Sequence, residues 1–408
     1  MQSILIEQPY HFVAPRPSAL CLRLFQAWLP RYVRRAHGVE SWEFLGRERL
    51  RASLAAGHGV MLAPNHCRPC DPMVLGLLSR DVGRPCAIMA SWHLFKQGGL
   101  QSWLLPRLGV FSIYREGMDR EALKCAIRIL TEAQRPLVVF PEGVISRTND
   151  RLNHLMEGTA FIARSAARQR AGLAGAGKVV VHPVAIRYFY GGDAELALTP
   201  VVDAIEQRLS WRPRREQPLL ERLLRVGQAL LTLKEIETFG APQAGPVRQR
   251  LAALIDRLLL PLEAEWLKGK REGDVVARVK ALRTAILPDM VAAEVSEAEG
   301  ARRWRHLADT YLAQQVFLYP PEYFGPQPTR EQLLETVERF EEDLTDAVRV
   351  YRPLHAVVAV GEALEVGLAR ERGLGGDPLM VELRQQLETG LAELRGRSPF
   401  APAAGGRG

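Results

Sequence analysis

Short apolar runs of strand length alternate with amphipathic helical patterns over residues 59–188, and this alternation limits the possible folds more than any other feature. Strands that alternate with helices are typical of an α/β sheet with helices on its faces. The predicted strands are Gly59–Ala63, Cys86–Ala90, Val110–Tyr114, Leu137–Phe140 and Lys178–Tyr188. The predicted helices are Asp71–Ser79, Asp119–Ala133 and Gly158–Gln169.

A mostly helical block follows, from about residue 194 to residue 352. Its long periodic stretches are Pro218–Phe239, Val247–Glu272 and Arg330–Tyr351. Strand character returns at Leu354–Val366, and a helix is predicted over Asp377–Leu394, with Asp377 as N-cap and Pro378 at the first helical position. Residues 398–408 are rich in glycine, proline and alanine and are expected to form a flexible tail.

An amphipathic helix is predicted near the N-terminus, over Ser18–Arg35, within an N-terminal segment of residues 1–45. Leu22 and Leu29 fall on one side of this helix, and arginines supply charge. Such a helix either lies in a lipid headgroup layer or packs on its own domain. Pro30 is expected to interrupt it.

Charge is distributed unevenly along the chain. The formal net charge is +8, of which residues 1–200 carry +10 and the remaining residues −2. A basic first half indicates an anionic partner, which can be nucleic acid, an acidic membrane surface or a phosphorylated substrate. Because the arginines are dispersed and no nucleic-acid recognition motif is present, we expect no nucleic acid among the partners.

The sequence predicts no membrane-spanning helix. The longest stretch without Asp, Glu, Lys or Arg is Ala52–Cys67, with 16 residues, whereas a span needs about 20 mostly apolar residues. The first 20 residues do not have the pattern of a secretion signal, and the five cysteines are then expected to be reduced thiols. We expect a cytoplasmic protein that is peripheral on the inner face of the membrane.

The segment Pro64–Pro72 (PNHCRPCDP) contains a candidate catalytic pair, His66 and Asp71. A carboxylate at the start of a helix can accept the Nδ1 proton of a histidine on the preceding loop, which leaves Nε2 as a base near neutral pH. Both residues also have a structural explanation. Asp71 followed by Pro72 is a good helix N-cap, and His66 can be an ordinary loop histidine.

Three more charged side chains follow predicted strands. Arg115 comes at the end of the strand in VFSIYREG, and Glu142 and Arg147 lie in the loop of VVFPEGVISR. Ligands of open α/β sheets bind beyond the carboxyl ends of the strands, so these residues can converge with His66. Two guanidinium groups beside a His/Asp base suit a phosphorylated alcohol.

These segments together resemble the glycerophospholipid acyltransferases of the lysophosphatidic acid acyltransferase type. Four motifs occur over residues 60–190 in the order that the family has them. They are Asn65-His66 with Asp71, the aromatic-rich strand Phe111–Arg115, Phe140–Gly143 with Ser146 and Arg147, and the strand His182–Ile186.

The resemblance implies a fold and a division into domains. The family closes its domain with a strand of the type VVVGEPLEV and a helix, and VAVGEALEV occupies Val358–Val366. The expected fold is a mixed sheet flanked by helices, with a mostly helical insertion. Residues 46–193 are the acyltransferase core with all four motifs, residues 194–352 the insertion, and residues 353–397 the closing strand and helix. The alternative is a separate C-terminal helical domain.

The resemblance also implies a reaction, in which a fatty acyl chain moves from a thioester donor to the hydroxyl of 1-acyl-glycerol 3-phosphate in phospholipid biosynthesis. The donor is acyl-CoA or acyl carrier protein, and no metal or other cofactor is expected. His66 is the general base and Asp71 orients it. The implied substrate-binding residues are Asn65, Arg115, Glu142, Gly143, Ser146 and Arg147. The expected partners are the lysophospholipid acceptor, the thioester donor and an anionic membrane surface.

Two positions depart from the family's pattern. Ile145 stands where the third motif usually has arginine, and Glu157 stands where a basic residue is frequent. Both changes weaken the expectation of a phosphate-bearing acceptor more than the expectation of acyl transfer. Another lysolipid or glycerol 3-phosphate is therefore an alternative acceptor.

Interpretations of other classes stay open. Cys67 and Cys70 form a C-x-x-C pair, which is also found in thiol-redox and zinc-binding proteins. A lipid-binding protein built on a decayed acyltransferase is a third class, although the intact His66/Asp71 pair argues against it. Gly98–Leu105 is interpreted as a loop that dips into a membrane, lines an acyl tunnel or packs in the core.

Overall fold

The computed structural model describes residues 9–292, 294–319, 322–325, 327–345, 347, 349–369 and 376–400. The contacts divide the chain into two compact units. The first, here called the α/β unit, contains His11–Tyr114, Asp119–Gly192 and the described residues from Val350 onward. The second, here called the helical unit, contains Arg115–Met118 and Asp193–Arg349.

The α/β unit is built on an eight-stranded sheet in the order β1-β7-β6-β2-β5-β3-β4, with β8 also paired to β6. β6, β2, β5, β3 and β4 are parallel neighbours, β7 and β8 run antiparallel to β6, and β1 is parallel to β7. The strands are β1 Val39–Leu45, β2 Gly59–Pro64, β3 Ala87–Ser91, β4 Val110–Ile113, β5 Leu137–Val138, β6 Val179–Tyr190, β7 Leu354–Val360 and β8 Leu364–Glu365.

Helices cover the sheet and bury its central strands. Every residue of β2 and β6 is buried, as is typical of central strands when both faces of a sheet are covered. The first six helices are α1 Ala19–His37, α2 Arg47–Ala55, α3 Asp71–Val82, α4 Gly99–Arg107, α5 Arg120–Glu132 and α6 Gly158–Ala171. The predicted mixed sheet flanked by helices is confirmed.

The main segment of the helical unit, Asp193–Arg349, lies in the chain between β6 and β7, two strands that pair directly with each other. Its helices are α7 Ala194–Arg208, α8 Leu219–Phe239, α9 Val247–Leu267, α10 Val275–Ile286, α11 Pro288–Val291, α12 Glu297–Phe317 and α13 Arg330–Thr345. Its apolar core includes Leu254, Leu259 and Leu282. Buried Arg222 is neutralised by Asp203 and Glu206, at N–O distances of 2.5 and 2.7 Å.

The last helix, α14 Pro378–Leu394, begins as predicted. The side chain of Asp377 accepts a hydrogen bond from the amide of Leu379 over 3.0 Å. The predicted strand over Leu354–Val366 is wrong in one respect, because it is divided into β7 and β8. At the break, the amide of Gly361 donates to the carbonyl of Pro183 over 2.8 Å.

Two further predictions are wrong. Gly98–Leu105 is not a loop, because most of it belongs to α4, where the amide of Ser102 donates to the carbonyl of Gly98 over 2.9 Å. Pro30 does not interrupt α1, which continues to His37 with Leu29 and Val33 buried on either side of the proline. Packing on both sides can hold a helix through a missing amide hydrogen bond.

Sequence analysis assigned no strand before Gly59, yet β1 pairs in parallel with β7. Its sequence VESWEFL has no continuous apolar run, which is why it was not predicted. Among the described residues, no helix has the length and apolarity that crossing a bilayer requires.

Candidate active site

His66 and Asp71 form a hydrogen-bonded pair at the carboxyl end of β2. Nδ1 of His66 lies 2.8 Å from Oδ2 of Asp71, and the two side chains are 14% and 0% exposed. The chain brings them together because β2 ends at Pro64 and α3 begins at Asp71, so only a short loop separates them. With Asp71 ionised, this bond holds the proton on Nδ1 and leaves the lone pair of Nε2 available.

Asp71 does not serve as the N-cap of α3. Cys70 occupies the N-cap position, and no side chain caps this helix. The carboxylate instead accepts hydrogen bonds at both oxygens: Oδ2 from His66 and from the amide of Arg68 over 2.9 Å, and Oδ1 from the hydroxyl of Tyr188 over 2.7 Å. The carboxylate therefore bonds the imidazole, the loop that carries it and a tyrosine of β6.

The second nitrogen of His66 is left unbonded. Within the described part of the chain, no group forms a hydrogen bond to Nε2. The ring stacks on Phe140, with centroids 4.0 Å apart and planes at 26°. The imidazole is therefore held in position by a carboxylate and an aromatic ring, and its other nitrogen can accept a proton.

β6 extends beyond β2 and holds the loop that carries His66. The pairing of the two strands ends at Pro64 and Val184, whereas β6 continues to Tyr190. The side chain of Asn65 donates to the carbonyl of Ile186 over 3.0 Å and accepts from its amide over 2.7 Å. Because Asn65 is buried and paired in this way, its contacts indicate that it positions the loop.

Tyr188 is a site residue to which sequence analysis assigned no role. Its hydroxyl bonds Asp71, and side-chain groups of Asn149 bond its amide and carbonyl, both over 2.9 Å. Burial, and then the charge of Asp71, raises the pKa of this phenol well above its usual range, so it stays a neutral donor. The available signal was a tyrosine in a strand predicted to be buried, because a buried phenol hydroxyl usually has a hydrogen-bonding partner.

Glu142 connects two loops. One follows β5 and contains Phe140–Gly143, and is here called the FPEG loop; the other carries His66 between β2 and α3. Oε1 accepts from the amide of His66 over 2.7 Å, and Oε2 accepts from the amide of Asn153 over 2.9 Å. The residue is 1% exposed, and burial raises the pKa of its carboxyl to about 7. These contacts fit a side chain that pins the loop, since both oxygens already bond backbone amides.

Gly143, Ser146 and Arg147 complete the same loop. Gly143 has φ +68°, and a Cβ there would lie 2.5 Å from Sδ of Met156. The amide of Ser146 donates to the carbonyl of His66 over 2.7 Å, while its hydroxyl donates to the carbonyl of Thr148 over 3.1 Å. Arg147 follows with φ +59° and is partly exposed.

The structure assigns Arg115 to the helical unit, within the segment Arg115–Met118. Burial lowers the pKa of its guanidinium. The other seven predicted site residues belong to the α/β unit. Of these seven, Asn65, Asp71, Glu142 and Ser146 bond backbone groups with their side chains.

The C-x-x-C pair has the character of buried structural thiols. Cys67 and Cys70 are both buried and are not joined by a disulfide. Burial, and to a smaller extent the charge of Asp71, raises the pKa of Cys70 to about 12. Thiol-redox chemistry and zinc binding both require the thiolate, which the surroundings of Cys70 disfavour. In the described ranges, no cluster of His, Cys, Asp and Glu has an arrangement suited to a metal ion.

Residues 42–187 match the family model described as Acyltransferase. The matched segment begins inside β1 and ends inside β6. It contains His66, Asp71 and every predicted substrate-binding residue.

Proposed function

We propose that this chain, whose residues 42–187 match the Acyltransferase family model, transfers a fatty acyl chain from a thioester donor to the hydroxyl of 1-acyl-glycerol 3-phosphate. This reaction would serve phospholipid biosynthesis. The observation that carries the proposal is the 2.8 Å contact between Nδ1 of His66 and Asp71, which leaves Nε2 unbonded.

The proposed mechanism is general base catalysis. Nε2 of His66 takes the proton of the acceptor hydroxyl as its oxygen attacks the thioester carbonyl carbon. The tetrahedral intermediate collapses, the carbon–sulfur bond breaks, and the imidazolium returns the proton to the departing thiolate. Asp71 keeps the ring in the Nδ1-protonated tautomer and stabilises the imidazolium while the proton resides on it.

The surrounding polar residues support this base rather than react. Glu142 and Ser146 hold the amide and the carbonyl of His66, each over 2.7 Å. Phe140 fixes the ring plane. A base that is held within a fraction of an ångström needs little reorganisation during the reaction.

Recognition of the acceptor phosphate is proposed for Arg147 of the α/β unit. Arg147 is adjacent in the chain to Ser146, which bonds the His66 loop. A guanidinium can donate two parallel hydrogen bonds to phosphate oxygens, which favours a phosphorylated acceptor. Another lysolipid and glycerol 3-phosphate are the alternative acceptors, and acyl-CoA and acyl carrier protein are the alternative donors.

A donor–acceptor matrix tests the proposal. The purified protein is incubated with labelled acyl-CoA or acyl carrier protein and with each candidate acceptor, and acylated products are separated. We expect product with 1-acyl-glycerol 3-phosphate, and a loss of about 10²–10⁴-fold in turnover in His66→Ala. The matched control is His154→Ala, which removes an exposed histidine of the same unit. Wild-type turnover in His66→Ala would exclude the mechanism.

We also propose that the protein acts at an anionic membrane surface on the cytoplasmic side. Leu20, Leu24 and Trp28 lie one helical turn apart on α1 and are 66%, 64% and 49% exposed. Leu100 and Trp103 of α4 are also exposed. The start of α1 and the end of α4 are joined by a hydrogen bond, which the amide of Ser18 donates to the carbonyl of Arg107. Exposed apolar side chains accompanied by arginines suit a headgroup layer that contains acidic lipids.

Vesicle sedimentation tests this surface. We expect binding to vesicles that contain an acidic phospholipid, weaker binding to neutral vesicles, and a loss of about tenfold in Leu24→Asp because an apolar contact is replaced by a repelled charge. Leu196→Asp, at a 77% exposed leucine of the helical unit, is the matched control. Equal losses in both variants would contradict the assignment to α1 and α4.

A further inference from the structure

The edge of β6 that faces β2 continues past the end of β2. The two strands pair as far as Pro64 and Val184, whereas β6 extends to Tyr190. Alternate residues of a strand direct their amide and carbonyl groups to the same edge, so Ile186 and Tyr188 present theirs where β2 has ended. Because both residues are buried, these backbone groups need hydrogen-bonding partners from another part of the chain.

Two asparagine side chains supply those partners. Asn65 bonds the amide and the carbonyl of Ile186, and Asn149 bonds those of Tyr188, two residues further along the strand. Oδ1 of Asn149 accepts from the amide and Nδ2 donates to the carbonyl, both over 2.9 Å. A carboxamide has an acceptor and a donor side by side, as a backbone peptide group does, so each asparagine continues the hydrogen bonding that β2 begins.

The backbone of Tyr188 is held from both edges of β6. On one edge the strand pairs with β7, where Tyr188 lies opposite Ala356. On the other edge the partner is Asn149, which is 1% exposed. The hydroxyl at the far end of the tyrosine ring donates to Oδ1 of Asp71 over 2.7 Å. A backbone displacement at Tyr188 would therefore be carried through a rigid ring to the carboxylate that orients His66.

We propose that Asn149 is a positioning residue for the candidate base, and that it acts on His66 through Tyr188 and Asp71. Without the carboxamide, two buried backbone groups of Tyr188 lose their partner, so this end of the strand is expected to shift. A small shift of the base lowers the rate strongly, because proton transfer depends on its distance from the reacting hydroxyl. The inference rests on the proposed function for the reaction alone, since the hydrogen bonds do not depend on it.

A double-mutant cycle tests the route through Tyr188. We expect kcat to fall about tenfold in Asn149→Ala, with a smaller change in KM. If Asn149 acts through the phenol, adding Tyr188→Phe to Asn149→Ala should cause little further loss of kcat. Independent effects would instead multiply to a loss of about a hundredfold, and that result would overturn the proposed route.

Ser79→Ala is the matched control for lost stability. Ser79 is also buried, and its hydroxyl also bonds two backbone groups: it donates to the carbonyl of Arg84 over 2.7 Å and accepts from the amide of Cys86 over 3.1 Å. It lies near the end of α3, whereas Asp71 is at the start of that helix. The control is expected to melt at a lower temperature than the wild type and to keep the wild-type kcat. An equal loss of kcat in Ser79→Ala and Asn149→Ala would assign both losses to general destabilisation and overturn the proposal.

The Nδ1 proton of His66 gives a measurement that does not need turnover. A proton held between an imidazole and a carboxylate gives a far-downfield nuclear magnetic resonance signal, which is assigned by its absence from His66→Ala. We expect this signal in the wild type and in Ser79→Ala. Asn149→Ala and Tyr188→Phe should shift it in the same direction or remove it, because both disturb Asp71. An unchanged signal in Asn149→Ala would overturn the proposal.

Asn149→Asp decides the matter if Asn149→Ala does not fold. This variant keeps an oxygen for the amide of Tyr188 and removes the donor to its carbonyl, so the resonance and kcat should change in the same directions. Wild-type values of both in a folded Asn149→Asp would overturn the proposal. If the wild type transfers no acyl chain at all, the proposed function fails, and the resonance still decides whether Asn149 positions His66.

Discussion

Tyr188 donates a hydrogen bond to Oδ1 of Asp71 over 2.7 Å, although the two residues are 117 positions apart in the sequence. The opposite oxygen of the carboxylate accepts from His66. The carboxylate that orients the candidate base is thus oriented in turn by a side chain from the central sheet. The candidate catalytic pair is formed by residues close in sequence, but its geometry depends on a contact with a distant strand.

Removal of the Tyr188 hydroxyl should weaken both folding and turnover. In Tyr188→Phe, Oδ1 of a buried carboxylate loses its strongest donor, which costs about 1–3 kcal/mol in the free energy of unfolding. We expect kcat to fall about tenfold with a smaller change in KM, measured by steady-state kinetics and urea denaturation. Tyr32→Phe on α1 is the control. Wild-type kcat in Tyr188→Phe would show that the phenol has no part in orienting Asp71.

Asp71→Asn should leave the fold in place and nearly abolish turnover. An asparagine can present its amide N–H to Nδ1 of His66, and the proton would then move to Nε2, which could no longer act as a base. A loss of about 10³–10⁴-fold in kcat is expected from comparable tautomer changes. The circular dichroism spectrum should match the wild type. A loss below tenfold would mean that the tautomer does not control the reaction.

Two glycines with similar backbone conformation should respond differently to alanine. Gly143 and Gly175 have φ +68° and +70°, but only at Gly143 would a Cβ meet a neighbour, Sδ of Met156 at 2.5 Å. Gly175→Ala should cost about 1–2 kcal/mol for the left-handed conformation alone. Gly143→Ala should cost about 1–3 kcal/mol more and lower kcat, because the FPEG loop must shift. Equal costs in urea denaturation would contradict the close contact.

Glu142 should make folding stability depend on pH. Burial raises the pKa of its carboxyl to about 7 from the usual 4.5, so between these values the folded state holds a proton that the unfolded chain has lost. The contribution of Glu142 to the free energy of unfolding is fully present below pH 4.5 and is lost as the pH rises through 7. The total loss is on the order of 3 kcal/mol.

Comparison with Glu142→Gln measures this contribution. The glutamine cannot ionise, so the free energy of unfolding of the wild type relative to the variant should fall between pH 5 and pH 8. Urea denaturation at several pH values gives the two curves. If the free energies of unfolding of the wild type and the variant changed in parallel with pH, Glu142 would have the same pKa in the folded and unfolded states.

Much of the fold was predictable from local pattern. The apolar run at Gly59–Ala63 predicted β2, and the Asp377-Pro378 start predicted α14. β1 was not predicted because its sequence has no continuous apolar run. Its pairing with β7 stabilises it as a strand. α4 was interpreted as a loop because Gly98 and Gly99 are local signals of a break, and the helix begins at the second of them.

The sequence by itself determined the pairing of His66 with Asp71, because five residues across a strand-to-helix loop bring the two side chains within reach wherever the loop lies. Only the tertiary structure decided what holds that pair. Strand register places Ile186 and Tyr188 beside the loop, and the FPEG loop folds Glu142 inward onto the amide of His66. Local spacing is a property of the covalent chain, whereas contacts between distant segments depend on how the whole sheet is assembled.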